Sequence, residues 1–142
     1  MIIFLILILL ASPAHAQEPK LYELKVLKVV DGDTLQVHSE LLPKKLKLAV
    51  RVYGIDTPEK APRSKCPEEN ALGQKATALT KQLVEVAQKN NQKILFDIIK
   101  WDKYGGRIDA KVFINNINLG DELIKRELAR AYFGEKKKSW CD

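Results

Sequence analysis

The chain has 142 residues, which suits one compact domain and leaves too few for two of ordinary size. Its 24 lysine and arginine residues outnumber 18 aspartate and glutamate residues, so the net charge is +6. This balance suits a polyanionic partner, because each basic contact to a phosphate releases a condensed counterion. The sequence contains no internal repeat. Lysine clusters at 44–47 and 136–138 are interpreted as a solvated loop and a solvated tail.

The first sixteen residues carry no Asp, Glu, Lys or Arg. An unbroken apolar run at 2–10 is roughly half the ~20 residues that span a bilayer. The small-x-small pattern Ala14-His15-Ala16 follows, which signal peptidase recognises. We therefore predict a signal peptide at 1–16 and a secreted or periplasmic mature domain at 17–142 without stable membrane association. An uncleaved anchor is the alternative, since no Lys or Arg precedes the run.

Strand signals fill the first half of the mature chain. Residues 22–30 are rich in β-formers, Asp31-Gly32-Asp33 interrupts them, and 34–38 alternates again, so we predict two tightly joined strands. Residues 46–53 have a period of two, which predicts a third strand. The proline in Asp56-Thr57-Pro58-Glu59 predicts a loop after it.

The second half begins with a helix at Pro67. Two strands follow at 93–100 and 108–114, joined by a turn at 102–106, and Asn118 is predicted to cap a short last helix. This order predicts an α+β fold, a five-stranded OB-type barrel with a helix between strands three and four and a C-terminal helix. The apolar stripe of the first helix is predicted from spacings of three and four as Leu72, Ala76, Leu79, Leu83 and Val86.

The two cysteines, Cys66 and Cys141, form an even pair. In an oxidising compartment such a pair is typical of a disulfide, and a zinc site would need neighbouring His and Cys residues. We predict a bridge that ties the chain end to the middle of the domain. In the entropic model it stabilises the fold by about 4 kcal/mol.

Several polar residues lie at predicted strand ends, where a catalytic site could form. Hydrolysis of a phosphodiester needs a group that holds the phosphate, charge neutralisation and an activated water. Two carboxylates with a backbone carbonyl and waters would form a hard-oxygen site suited to Ca²⁺ and less well to Mg²⁺. Each acidic motif alone is more often a structural turn, but an arginine on a barrel strand between them needs a carboxylate or phosphate partner. The candidates are Asp31, Asp33, Arg51, Asp56, Glu59 and Arg107.

Three ordered strings carry a family resemblance. They are Val-Asp-Gly-Asp-Thr-Leu at 30–35, Val-Arg-Val-Tyr-Gly-Ile-Asp-Thr-Pro-Glu at 50–59, and Asp-Lys-Tyr-Gly-Gly-Arg at 102–107. Together they resemble the staphylococcal nuclease (thermonuclease) family over about residues 24–132. The resemblance implies an OB-type barrel and Ca²⁺-dependent hydrolysis of DNA and RNA that leaves 3′-phosphate ends.

The resemblance also implies roles for individual residues. Asp33 and Asp56 would be the metal-ligating carboxylates, with the backbone carbonyl of Thr57 as a further ligand. Glu59 would activate or orient water, and Arg51 would hold the phosphate in the ground and transition states. The arginine suits this role because it donates two parallel hydrogen bonds, which lysine cannot match.

The remaining sites are less regular. Asp31 falls at a supporting position beside the metal ligands. The extra glycine before Arg107 brings that catalytic arginine in from a different turn, and we still expect it to reach the phosphate. Tyr104 and Tyr132 are predicted to stack on or hydrogen-bond the nucleotide, with simple packing as the alternative. We expect the Cys66–Cys141 bridge to substitute for the family's long last helix.

Two other classes of function stay open from the residues alone. One is an OB-type module that binds nucleic acid without catalysis, and the other is a secreted structural or adhesion domain with a basic surface. Retention of the carboxylates and of Arg51 favours the enzyme. We predict that the domain acts as a monomer.

Overall fold

The structure is a computed structural model that describes residues 18–40, 46–103 and 105–141. The predicted signal peptide and Tyr104 lie outside the described residues. Neither helix in this part of the chain has the length and apolar character that a bilayer crossing requires.

The described residues form nine strands and two helices. The five longest strands overlap the predicted ones, but the predicted count of five is too low, because strands of two or three residues carry no readable periodicity. In chain order the elements are β1 (Leu21–Glu23), β2 (Lys25–Asp31), β3 (Thr34–His38), β4 (Leu48–Val52), β5 (Ile55–Asp56), α1 (Pro67–Lys89), β6 (Ile94–Trp101), β7 (Arg107–Ile114), β8 (Ile117–Asn118), α2 (Leu119–Lys125) and β9 (Arg130–Ala131).

The main sheet is mixed and strongly curled. Its strand order is β1-β6-β7-β4-β3-β2, with β8 beside β7, and β4 and β7 run parallel. The strands β1 and β2 form the two ends of this order, although only Leu24 separates them in the chain. The sheet must therefore curl until both ends meet at one bent strand. A curled mixed sheet with two helices fits the predicted OB-like α+β class.

The hydrophobic core lies inside the curled sheet. Side chains alternate across β4, so Val50 and Val52 are buried while Arg51 between them faces the opposite side. This alternation is what delivers an arginine to the outer face of β4. The largest wholly buried apolar side chains of the strands are Phe96, Leu35, Val37, Val50, Val52 and Val112.

The buried face of α1 differs from the predicted stripe. Val86 is 48% exposed, so its assignment to the core was wrong. The spacing of leucine and valine misled the prediction because small and polar residues supply much of the actual contact face. The residues of α1 that are buried are Glu69, Gly73, Ala76, Leu79, Thr80, Val84 and Ala87.

Two glycines let α1 lie close to the polar turns of the barrel. A Cβ atom on Gly73 would lie 2.6 Å from the backbone oxygen of Glu59, and one on Gly32 would lie 2.7 Å from the Cβ of Ala76. The hydroxyl of Thr80 also donates a hydrogen bond of 2.8 Å to the carbonyl of Gly32. The helix therefore fixes the positions of the turn after β2 and of the loop after β5.

The Cys66–Cys141 disulfide is present, with 5.9 Å between the two Cα atoms, which confirms the predicted pairing. Cys66 is also the N-cap of α1, since its sulfur accepts the backbone N–H of Glu69. The bridge thus anchors the C-terminal segment at the start of α1. At α2, the predicted cap Asn118 accepts the N–H groups of Gly120 and Asp121 at 2.9 and 3.3 Å.

Candidate metal and phosphate site

Arg51 brings the two predicted ligand carboxylates together. Its Nη2 lies 3.6 Å from Oδ2 of Asp33 and 3.6 Å from Oδ1 of Asp56. The convergence follows from strand pairing, because Thr34 is in register with Arg51 and the N–H of Val52 donates to the carbonyl of Asp33 at 2.8 Å. Asp33, 18 positions before Arg51, and Asp56, 5 positions after it, therefore meet at the Arg51 side chain.

Asp33 is buried and takes up local hydrogen bonds with both oxygens. The hydroxyl of Thr34 donates to Oδ1 at 2.9 Å, and the N–H of Thr57 approaches Oδ2 at 3.4 Å. Burial raises the pKa of Asp33 from its ordinary 3.8 to about 6, with the Arg51 charge opposing the rise and the Asp31 carboxylate adding to it. A further cation beside Asp33 would be stabilised by this incompletely neutralised carboxylate.

The oxygens gathered here fit a hard cation. Oδ1 of Asp56 is buried. Among the described residues it forms ion pairs with Arg51, at 3.6 Å, and with Lys137, at 2.5 Å. Thr57 follows Asp56 directly and is buried beside Asp33, so its carbonyl belongs to the same loop. Carboxylate and carbonyl oxygens are the donors that Ca²⁺ prefers.

A second cluster of potential ligands does not form a metal site. Among the described residues, Cys66, Glu69 and Cys141 lie close enough together to share an ion. Their sulfurs are joined in the disulfide and offer no thiolate. The acidic group at Asp33 and Asp56 is the better candidate.

Glu59 lies at the edge of the site in an ion pair that the sequence analysis missed. Nε of Arg63 donates to Oε2 of Glu59 at 2.8 Å, and Nη2 of the same arginine donates to Oδ2 of Asp31 at 2.8 Å. The side chain of Glu59 remains 37% exposed and accessible to water. Arg63 therefore links the predicted base to the predicted supporting carboxylate. Residues 59–63 are not helical, so the spacing of four residues between Glu59 and Arg63 gave no signal of this pair.

The first turn of α1 holds the loop that carries Glu59. The carboxylate of Glu69 accepts the N–H of Glu59 at 3.3 Å and the N–H of Lys65 at 2.6 Å. The side-chain oxygen of Asn70 accepts the N–H of Ala61 at 2.8 Å. Backbone groups in an irregular loop thus find partners on a regular helix, which limits the movement of Glu59.

Arg107 lies on the same open face as Arg51 but does not contact the carboxylates. The parallel pairing of β4 with β7 sets Arg51 in register with Asp109, two residues after Arg107. The guanidinium of Arg107 is paired with Asp102, with 2.6 Å from Nε to Oδ2. The structure therefore brings Arg107 to the rim of the site, where Asp102 holds it.

An open cleft of about 560 Å³ runs over this face. It contains Arg51 and Arg107 together with Tyr132, whereas Tyr104 lies outside the described residues. Its surroundings are basic and aromatic, a combination that suits a nucleic-acid strand. The other basic and aromatic residues of the lining are Tyr53, Lys100, Trp101, Lys103, Phe133 and Lys137, and the acidic ones are Asp102 and Asp109.

Two further contacts to Asp56 come from the C-terminal segment. Nζ of Lys137 lies 2.5 Å from Oδ1, and Nε1 of Trp140 donates to Oδ2 at 3.2 Å. The interpretation of 136–138 as a merely solvated tail was therefore wrong for Lys137. No local pattern could have found these contacts, because Trp140 is 84 residues from Asp56 along the chain.

Comparisons with known proteins point to one family. The family model described as "Staphylococcal nuclease homologue" matches residues 49–140. A thermonuclease from Staphylococcus hyicus is 33% identical over 111 residues, covering 77% of this chain and 59% of the relative. An uncharacterized protein from Methanocaldococcus jannaschii is 39% identical over 127 residues, covering 76% of this chain and 58% of the relative. The chain thus spans less than three fifths of the length of each relative.

Proposed function

This chain belongs to the family of staphylococcal nuclease homologues, and we propose that it is a Ca²⁺-dependent phosphodiesterase that cuts DNA and RNA and leaves 3′-phosphate ends. The observation that carries the proposal is the convergence of Arg51 on Asp33 and Asp56, at 3.6 Å from each. A phosphate-binding group and two oxygen ligands stand together beside a basic, aromatic cleft.

The ligands of the cation would be Asp33, Asp56 and the carbonyl of Thr57, completed by waters. When bound, the cation would neutralise charge that develops on the phosphate in the transition state. At 3.6 Å the contacts of Arg51 to the carboxylates are ion pairs rather than hydrogen bonds. They leave the guanidinium donors to a phosphate, on which Arg51 would place two parallel hydrogen bonds.

Glu59 would accept the proton of the attacking water. Arg63 orients this carboxylate through its 2.8 Å hydrogen bond. Asp31 would act through Arg63, whose guanidinium it holds from the buried side at 2.8 Å. Arg107 would approach the phosphate from the rim of the cleft, with Asp102 setting its direction.

The substrate would lie along the cleft, with Tyr132 and Tyr104 meeting the nucleotide. We further propose export after removal of 1–16 and action as a monomer. The Cys66–Cys141 disulfide supports export, since such bridges persist in oxidising compartments.

The deciding experiment is digestion of purified DNA and RNA with Ca²⁺, with excess EDTA, and with Ca²⁺ restored. We expect cleavage, loss and recovery in that order, weaker cleavage with Mg²⁺, and product ends that a phosphatase must treat before a polymerase extends them. An Asp33→Asn, Asp56→Asn double variant, purified identically, controls for a contaminating nuclease. Full turnover in EDTA would contradict the metal assignment. Retention of DNA on the protein without cleavage would instead favour a binding-only OB module.

A further inference from the structure

The C-terminal segment 134–141 reaches the candidate metal site and occupies both oxygens of one ligand. Lys137 lies at Oδ1 of Asp56 and Trp140 at Oδ2, at 2.5 and 3.2 Å. One of these side chains is a cation and the other is a neutral donor. The two therefore have opposite consequences for an ion that binds the same carboxylate.

Three contacts fix this segment against the domain. The disulfide joins Cys141 to Cys66 at the start of α1. Arg130 donates to the carbonyl of Ser139 at 2.7 Å, and its guanidinium stacks on the ring of Trp140 at 3.8 Å from the centroid. Arg130 is itself in register with Asp56 where β9 pairs with β5. The indole of Trp140 is thus held by the bridged Cys141, which follows it in the chain, and by Arg130, whose strand β9 pairs with the strand that carries Asp56.

We infer that the segment 134–141 sets the cation affinity of the Asp33–Asp56 site, with Trp140 positioning Asp56 for the ion and Lys137 competing with it. The inference rests on the proposed function, because it takes these two carboxylates to be the metal ligands. It adds the residues that determine how tightly the ion is held.

Trp140 acts on the ion through Asp56. The indole N–H is a donor only, so it fixes the rotation of the carboxylate by binding Oδ2. Oδ1 then faces Arg51 and the side of the site where Asp33 lies. Ligating carboxylates depend on such outer hydrogen bonds, whose loss commonly weakens metal affinity about tenfold or more.

Lys137 stands where a cation is attracted. Its ammonium group is a point charge on a flexible stem, 43% exposed, and must leave Oδ1 before an ion can use that oxygen. In this same position Nζ also lies 5.5 Å from the centroid of the Tyr132 ring. The lysine therefore lowers the affinity for the ion without blocking the site.

The test is calorimetric titration of the oxidised, full-length protein with Ca²⁺ alone. Trp140→Phe keeps an aromatic ring over Arg130 and removes the donor, so we expect the Kd for Ca²⁺ to rise about tenfold. Lys137→Met removes the competing charge, so we expect the Kd to fall about two- to fivefold, as for a partly exposed ion pair. Lys136→Met, which removes the same charge from the preceding exposed residue, should leave the Kd close to that of the unaltered protein.

Opposite shifts in the two variants cannot come from general destabilisation, and melting curves measured on the same samples check that each variant is folded. If Trp140→Phe does not fold, the direction of the change in Kd for Ca²⁺ in Lys137→Met, a substitution at an exposed position, decides the inference. Equal affinities in all folded variants, or weaker binding in Lys137→Met, would overturn the inference and leave the proposed function intact. No Ca²⁺ binding by the unaltered protein would remove the metal site itself, and the inference with it.

Discussion

Arg51 lies between two buried valines of β4 and faces both candidate ligands. We predict that Arg51→Lys lowers kcat about 10²-fold, because a point charge cannot reproduce the two-pronged contact with phosphate. Arg126→Lys is the matched control, since Arg126 is exposed and paired only with Glu122 one helical turn away among the contacts described. Steady-state kinetics and melting temperature should be measured on both. Near-normal turnover in folded Arg51→Lys would remove this arginine from the mechanism.

Glu59 tests the proton-transfer step separately. Glu59→Gln keeps the shape of the side chain and removes the base, so kcat should fall about 10²-fold or more while Ca²⁺ and substrate binding survive. A purely structural role in the ion pair with Arg63 would give the reverse pattern, a lower melting temperature with normal turnover of the folded fraction. Measuring kcat, KM and thermal melting on one preparation separates the two roles.

Asp33 connects the candidate metal site to the stability of the fold. Its pKa is raised in the folded protein to about 6, so the folded state binds the proton more tightly than the unfolded state does. The stability from this proton is complete below the ordinary pKa of 3.8 and is lost as pH rises through about 6. In EDTA at pH 7, Asp33→Asn should therefore melt at a higher temperature than the unaltered protein, and its free energy of unfolding should be larger by an amount on the order of 1–3 kcal/mol.

The same comparison made well below pH 3.8 supplies the control. There the carboxyl is protonated in both states, so the two melting temperatures should converge. If the difference in melting temperature between Asp33→Asn and the unaltered protein does not change with pH, the substitution acts through packing. Ca²⁺ at pH 7 should reverse the order, because the ion stabilises only the protein that retains the carboxylate.

At the level of elements, close packing of α1 holds the loop that carries Glu59. Gly73→Ala would place a methyl group 2.6 Å from a backbone oxygen that cannot move as a flexible side chain would. We predict that the free energy of unfolding falls by about 1–3 kcal/mol, because the steric clash outweighs the ~1 kcal/mol that alanine gains over glycine in a helix. Gln74→Ala, at the next and exposed position, should be close to neutral. Chemical denaturation of both variants measures the difference, and a more stable Gly73→Ala would contradict the packing argument.

The strands and helices also show which features of the site can be predicted from the sequence. The convergence of Asp33, Asp56 and Arg51 could be predicted, because each residue lies near the end of a strand pattern and neighbouring strands bring such ends together. The contact face of α1 could not, because it depends on Gly73 and Ala76, whose small size carries no apolar periodicity. The contacts of Arg63 with Glu59 and Asp31 could not be predicted either, because the sequence does not indicate which carboxylates a loop arginine will contact.

Across the whole molecule, contacts between distant segments were the least predictable. Trp140 and Lys137 reach Asp56 only because the chain returns along β9 and is fixed at Cys141. The pairing of Cys66 with Cys141 was predictable, since a single pairing exists, but the position it gives to Trp140 was not. The basic cleft likewise joins β4, β7 and the C-terminal segment, which lie far apart in the sequence.

The bridge should also dominate the thermal stability of the domain. It closes a loop with a sequence separation of 75 residues, for which the entropic model gives about 4 kcal/mol. We predict that Cys66→Ser with Cys141→Ser lowers the melting temperature on the order of 10 °C. Reductant should lower the melting temperature of the unaltered protein and leave that of the double variant unchanged. Equal melting of oxidised and reduced protein would show that the segment is held by its other contacts.

The bent strand at Leu24 has a consequence for how copies of the protein behave toward each other. A strand at the margin of a sheet usually exposes carbonyl and N–H groups on which a second chain can grow. Here β1 has three residues, and the outward carbonyls of β2 at Val26 and Val30 accept Gln88 and Lys60 side chains at 2.8 and 2.9 Å. The Gln88 amide and the Lys60 ammonium thus occupy two of the carbonyls with which a foreign strand would pair. The folded protein should stay unaggregated at high concentration, with its sheet closed to fibril-like extension.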